Sequence, residues 1–216
     1  VKPTMEVSTA LPGAREPTRA VALLLALAPR TSLLPLAVPF YGVMLAIALA
    51  VAHWSGDALM YARPPVGDSS DTWGLTDAVL GMVIGLAVIV VSRQFTRRTQ
   101  WGAALADVLA DAIGKPGVAE CIVLAVVSGI GEEALFRGAL QPHVGLWAAS
   151  LIFGLAHFAP RRELWPWTLF AMATGLLLGA SFEWTGNLVA PIVAHTLINA
   201  VNLRLLALRD SIGSTA

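Results

Sequence analysis

The chain has 216 residues, of which 56% are hydrophobic and only 13% charged, with 14 Lys and Arg exactly balanced by 14 Asp and Glu. A soluble domain carries about 25% charged residues, so the composition points to a polytopic membrane protein rather than a soluble one. Zero net charge argues against a broad nucleic-acid footprint, and a sole cysteine, Cys121, excludes an intramolecular disulfide.

Residues 1–19 are turn-rich and read as an N-terminal tail, and no cleavable secretory signal is expected ahead of the first span. Residues 20–116 read as N-terminal membrane helices followed by an interfacial linker. Ala20 to Ala28 is too short to cross alone. Pro29-Arg30 interrupts it, which suits an interfacial or partly inserted helix. Leu33 to Ala52 is the first span, with Pro35 and Pro39 in its first turns, where a missing amide donor is best tolerated. His53 to Asp77 forms a loop carrying Asp57, Asp68, Asp71 and Asp77 against Arg63. A second span covers 75–91, and its Gly81-xxx-Gly85 spacing permits close helix contact. Arg93, Arg97 and Arg98 follow as the densest basic cluster. Trp101 to Ile113 reads as a helix on the membrane surface.

Gly114-Lys-Pro-Gly117 breaks that helix. Residues 117–208 then read as a bundle of four spans, at 118–140, 146–158, 165–182 and 188–208, before a tail at 209–216. Gly175-xxx-Gly179 is another close-packing candidate. The fold expected is an all-α polytopic membrane protein with six transmembrane helices, or seven if residues 20–30 also cross, and with the catalytic bundle formed by the C-terminal four. The basic residues fall on one side of this scheme, and Arg63, the four aspartates and Glu183 on the other. The positive-inside rule then places both termini in the cytoplasm. Trp147, Trp165, Trp167 and Trp184 lie near span ends and read as interfacial anchors first.

Chemistry concentrates in the C-terminal bundle. Glu132, Glu133 and Arg137 stand on an otherwise apolar helix, where ionisable groups are costly and mark function. Glu133 and Arg137 are spaced to pair at i and i+4, which leaves Glu132 free. Phe153 and His157 are one turn apart on the next span, and His195 and Asn199 are one turn apart on the last. A carboxylate and a histidine, Glu132 and His157, can hold and deprotonate a water. A second histidine and an amide, His195 and Asn199, can donate to an oxygen that becomes negative, as adding water to a peptide carbonyl requires. The same Glu132, His157 and His195 set also permits zinc, although no His-Glu-x-x-His pattern is present. A proton relay or transporter would use similar groups. Ser128 reads as a helix-packing residue, and His53 and His143 as surface or interfacial.

Three short motifs stand in order on successive apolar helices: Glu132-Glu-Ala-Leu-Phe-Arg137, Phe153-Gly-Leu-Ala-His157 and His195-Thr-Leu-Ile-Asn199. Together they resemble the EExxxR, FxxxH and HxxxN signature of the CPBP intramembrane proteases, also called the CAAX protease and bacteriocin-processing or Abi family. The resemblance covers roughly residues 117–205. It implies a glutamate-dependent intramembrane endopeptidase without a resident cofactor, in which Glu132 and His157 activate water and His195 and Asn199 stabilise the oxyanion. Glu133, Arg137 and Phe153 support the site. The implied partners are the lipid bilayer and a membrane-associated protein or peptide cut near its C-terminus, with no nucleic acid. The implied location is a bacterial-type cytoplasmic (inner) membrane. A zinc-dependent protease, or a noncatalytic immunity or transport protein on the same bundle, is the alternative.

Overall fold

The computed structural model describes residues 32–56 and 73–209, apart from the side chain of Trp73. The expectations for residues 1–31, for most of the 53–77 loop and for the tail after Arg209 lie outside the described residues. Those described form helices joined by short connections. The order is α1 (Leu34–Ser55), α2 (Trp73–Arg98), α3 (Gln100–Ile113), α4 (Val118–Glu133), a π-helical segment (Ala134–Leu140), α5 (Gln141–Ala156), α6 (Trp165–Thr185) and α7 (Val189–Ala207).

The protein is all-α and largely membrane-embedded. Among the described residues four helices are long and apolar enough to cross a membrane: α1, α2 (from Gly74), α6 and α7. A fifth span is reached if α3 and the run Val118–Ala156, bent from each other by 103°, count together. The expected six or seven spans therefore exceed what the described residues carry. The difference lies between residues 118 and 156. There the expected pair of helices is present but joined at a kink at Gly145, whose φ of 80° and ψ of 165° are open essentially only to glycine. The piece beyond Gly145 is too short to cross alone.

Side-chain size sets the packing. α2 and α7 run parallel in close contact, because a β-carbon on Gly81 would lie 2.4 Å from the Ala190 carbonyl oxygen and one on Gly85 3.1 Å from that of Ala194. At one end of the pair Asn187 Nδ2 donates to Asp77 at 2.6 Å. At the other, Ser92 Oγ donates to Asn202 at 3.3 Å. The Gly175 and Gly179 stripe of α6 faces α5 and the π segment. There the Gly175 carbonyl accepts from Arg137 and the Gly179 carbonyl from Gln141, at 3.1 and 3.0 Å. α1 lies along α4, and Glu120 in the first turn of α4 accepts from Ser32 Oγ and the Leu33 amide. α3 starts at Thr99, whose hydroxyl accepts from the Gly102 amide, and is tied to the end of α7 by Arg209 and Asp107 at 2.5 Å.

The Gly81 contact is testable. Gly81→Leu should lower the melting temperature in detergent by several degrees, whereas Gly42→Leu, which would meet nothing within 4 Å, should leave it nearly unchanged. Equal melting temperatures for the two variants would contradict the α2–α7 packing.

Candidate active site

The end of α4 and the π segment put three ionisable groups inside the bundle. Glu132 is 6% exposed, Glu133 0% and Arg137 1%. A π-helical turn widens the local spacing of side chains and recurs at functional sites. Here it starts one residue after Glu133. Arg137 is held on three sides. Nη1 donates to Glu133 Oε1 at 3.2 Å and Nη2 to the Gly175 carbonyl. The guanidinium carbon also stands 4.3 Å from the centroid of the Phe153 ring, a cation–π distance.

Glu133 Oε1 serves a second partner. His195 Nδ1 lies 2.6 Å from it. A carboxylate oxygen accepts, so Nδ1 carries the proton and donates. The pair fixes the imidazole so that Nε2 points at Glu132, whose Oε2 is 3.9 Å away. His157 approaches the same oxygen from α5. Its Nε2 is 3.7 Å from Glu132 Oε2, while its Nδ1 lies 2.7 Å from the Phe153 carbonyl. That carbonyl can only accept, so the proton of a neutral His157 sits on Nδ1 and Nε2 presents a lone pair. Thr168 Oγ1 donates to the His157 carbonyl at 3.3 Å, and the Phe153 and Trp167 rings pack on the imidazole at 4.6 and 5.3 Å between centroids.

Glu132 Oε2 is thus buried and has no direct hydrogen-bond partner among the described residues. It faces two ring nitrogens at distances slightly beyond direct hydrogen bonding, the spacing that a bridging water fills. Glu132, His157, His195, Asn199 and Phe153 all line one cavity of about 770 Å³.

Asn199 lines the cavity and is also tied to a neighbouring helix. Its Nδ2 donates to Ser128 Oγ at 2.9 Å, and Ser128 in turn donates to the Ala125 carbonyl at 3.2 Å. Asn199 keeps one further N–H. Ser128, expected only to ease helix packing, fixes this amide. Trp167, expected as an interfacial anchor, lines the cavity against His157. Tyr41 of α1 was not anticipated at all. It lines the cavity beside the Glu132 carboxylate. Its only signal in the sequence is a phenol in an apolar helix, and nothing there says that α1 packs on α4.

Glu132, His157 and His195 converge, but among the described residues no group of three or more His, Cys, Asp or Glu is arranged to hold a metal ion.

Residues 115–201 match the model of the family described as Rce1-like, type II CAAX prenyl endopeptidase Rce1-like. The chain is also similar to the uncharacterized protein YpbD of Bacillus subtilis (strain 168), with 38% identity over 142 residues, 63% of this chain and 74% of that protein. The chain belongs to the Rce1-like CAAX protease (CPBP/Abi) family. The matched domain holds all three motifs and covers part of the chain's length, leaving α1, α2 and α3 outside it. No solved structure matches the chain. Family membership and the buried Glu/His cluster together support a hydrolase of the protease type, and the relative in a bacterium agrees with a multi-pass bacterial membrane protein.

Removing Arg137 would leave Glu133 buried without its strongest counter-charge. Arg137→Met should destabilise the protein by roughly 3–5 kcal/mol, read as a large fall in melting temperature. Glu133→Gln combined with Arg137→Met should recover part of that loss. A single Arg137→Met variant as stable as the parent would remove the electrostatic account of this pair.

Proposed function

We propose that the chain is an intramembrane, glutamate-dependent endopeptidase that hydrolyses a peptide bond in a membrane-associated protein or peptide. The observation that carries this reading is the single buried oxygen, Glu132 Oε2, at 3.7 and 3.9 Å from the Nε2 atoms of two histidines fixed by their other nitrogens. The family description names CAAX prenyl endopeptidases, and we carry from it the reading that the bond lies near the substrate's C-terminus. We further propose that residues 117–208 form the catalytic bundle, in a bacterial-type cytoplasmic membrane with both termini in the cytoplasm.

In the proposed mechanism a water sits between Glu132 and His157. One of its hydrogens goes to Glu132 Oε2 and the other to the His157 Nε2 lone pair, which leaves an oxygen lone pair aimed at the substrate carbonyl. As the oxygen attacks, Glu132 takes the proton and the carbonyl oxygen becomes an oxyanion. His195 donates to that oxyanion from Nε2, and Asn199 from the N–H that Ser128 leaves free. His195 can donate from Nε2 only while Nδ1 is also protonated, and Glu133 stands against that nitrogen to balance the charge. When the tetrahedral intermediate collapses, the C–N bond breaks. The proton held by Glu132 passes to the leaving nitrogen, giving an amine, and the product acid gives its own proton to the His157 Nε2 lone pair and then to solvent, leaving a carboxylate.

Charge alternates along the resulting line of groups: Glu132, His195 when doubly protonated, Glu133, Arg137. Each negative group has a positive neighbour, which is how four ionisable side chains can share a medium that tolerates none alone.

The test is Glu132→Gln, assayed by comparing membrane-derived peptides in cells carrying the parent or the variant. Peptide release should fall by at least about 10²-fold, with expression and melting temperature unchanged. Asn199→Ala should cost about 10²–10³ in kcat. Cleavage that persists in the Glu132→Gln protein would reject the mechanism.

A further inference from the structure

The cavity that holds Glu132 has a second polar region. Arg93 and Arg97, one turn apart on α2, line it, whereas Arg98 of the same basic cluster does not. Positive-inside bias accounts for basic residues at this helix end but not for two of them sharing the wall of the reaction cavity. Arg209 lines the cavity as well, but it is neutralised by Asp107. Among the described residues neither Arg93 nor Arg97 has an ion-pair partner.

The parallel register of α2 and α7 sets how far this patch lies from the chemistry. Ser92, next to Arg93, bonds Asn202, and Asn202 is two helical turns beyond His195. At a rise of about 1.5 Å per residue the offset is on the order of 10 Å for Arg93 and about 16 Å for Arg97, roughly three to five residues of extended peptide at about 3.3 Å each. The wall along this line is mainly apolar, with Ile198 between the two ends and Phe95 and Leu203 at the arginine end. A ligand that fits both ends is an apolar peptide carrying a negative group a few residues from the bond at Glu132. Two arginines on one helix face offer the forked donors that carboxylates take up best.

We propose that Arg93 and Arg97 form a subsite for a carboxylate of the substrate peptide. The carboxylate is either the C-terminal one or that of an Asp or Glu side chain. This rests on the peptidase reading of the site, but it places the subsite on α2, outside the family-matched domain, and its test needs no turnover.

The test measures binding to purified Glu132→Gln protein in nonionic detergent. The probes are fluorescent apolar pentapeptides: a free acid, its C-terminal amide, and two amides with Asp or Asn at one internal position. The free acid should bind about ten-fold tighter than the amide if the terminal carboxylate is read, and Asp about ten-fold tighter than Asn if a side chain is read. Either preference should vanish in an Arg93→Gln/Arg97→Gln double variant. Both side chains are exposed, so that variant should keep its melting temperature, and an Arg93→Lys/Arg97→Lys variant should retain part of the preference. Equal binding of all four peptides, no binding of any, or a preference that survives the Gln variant would overturn the subsite. So would a preference abolished by small amounts of phosphatidylglycerol but not phosphatidylcholine, which would make the arginines a lipid-headgroup site. If instead Glu132→Gln still cleaved while the carboxylate preference held, the peptidase mechanism would fall and the subsite would stand.

Discussion

One oxygen atom, Glu133 Oε1, holds the candidate site together. It accepts from Arg137 and from His195, groups on the π segment and on α7, and Arg137 also reaches the α6 backbone. Three parts of the chain are thereby joined through one fully buried carboxylate. Low dielectric makes such a junction strong when complete and costly when any member is missing. The aim of the His195 ring depends on it, while Glu132 keeps one oxygen, Oε2, without a direct partner among the described residues and has Tyr41 beside its carboxylate. Phe153 braces the arrangement from α5. Its ring lies against Arg137, His157 and His195, so one apolar side chain sets the spacing of the charged ones.

Much of this could be read from the sequence, and the part that could is local. The pairing of Glu133 with Arg137 follows from helical spacing, and the helix limits fall within a few residues of those expected from apolar run length. The glycine pairs mark close contacts, as small residues do in apolar bundles. What could not be read is relational. No pattern in the sequence says that His195 shares the oxygen that Arg137 uses, that Ser128 holds Asn199, or that Tyr41 comes from a distant helix to stand beside Glu132. The π-helical turn is hidden too, because Ala-Leu-Phe-Arg-Gly-Ala-Leu is an ordinary α-helical composition. The span count is met only in part: among the described residues four helices, or five with the bent pair, are long and apolar enough to cross, and the helix after the Gly145 kink is short.

The cavity combines elements of different origin. The end that holds the candidate site is built mainly from the family-matched domain, while α1, α2 and α3 supply much of the remaining wall. α3 brings an apolar face to the cavity and carries Asp107, which binds Arg209. A domain that keeps its reactive residues and exchanges its walls can change what it accepts without changing what it does to it. The division of the cavity between the matched domain and the preceding helices has that form.

His195 and Asn199 have a further consequence through their place in the chain. Both stand on α7, the last described helix, whereas Glu132 and Glu133 are translated some sixty residues earlier. During synthesis the carboxylates enter the membrane with Arg137 as their companion and without the imidazole of His195 or the amide of Asn199. The proposed water-activating and oxyanion groups coexist only once α7 has been made and has docked along α2. On the proposed mechanism, a nascent chain therefore lacks a complete site until α7 has been made and docked.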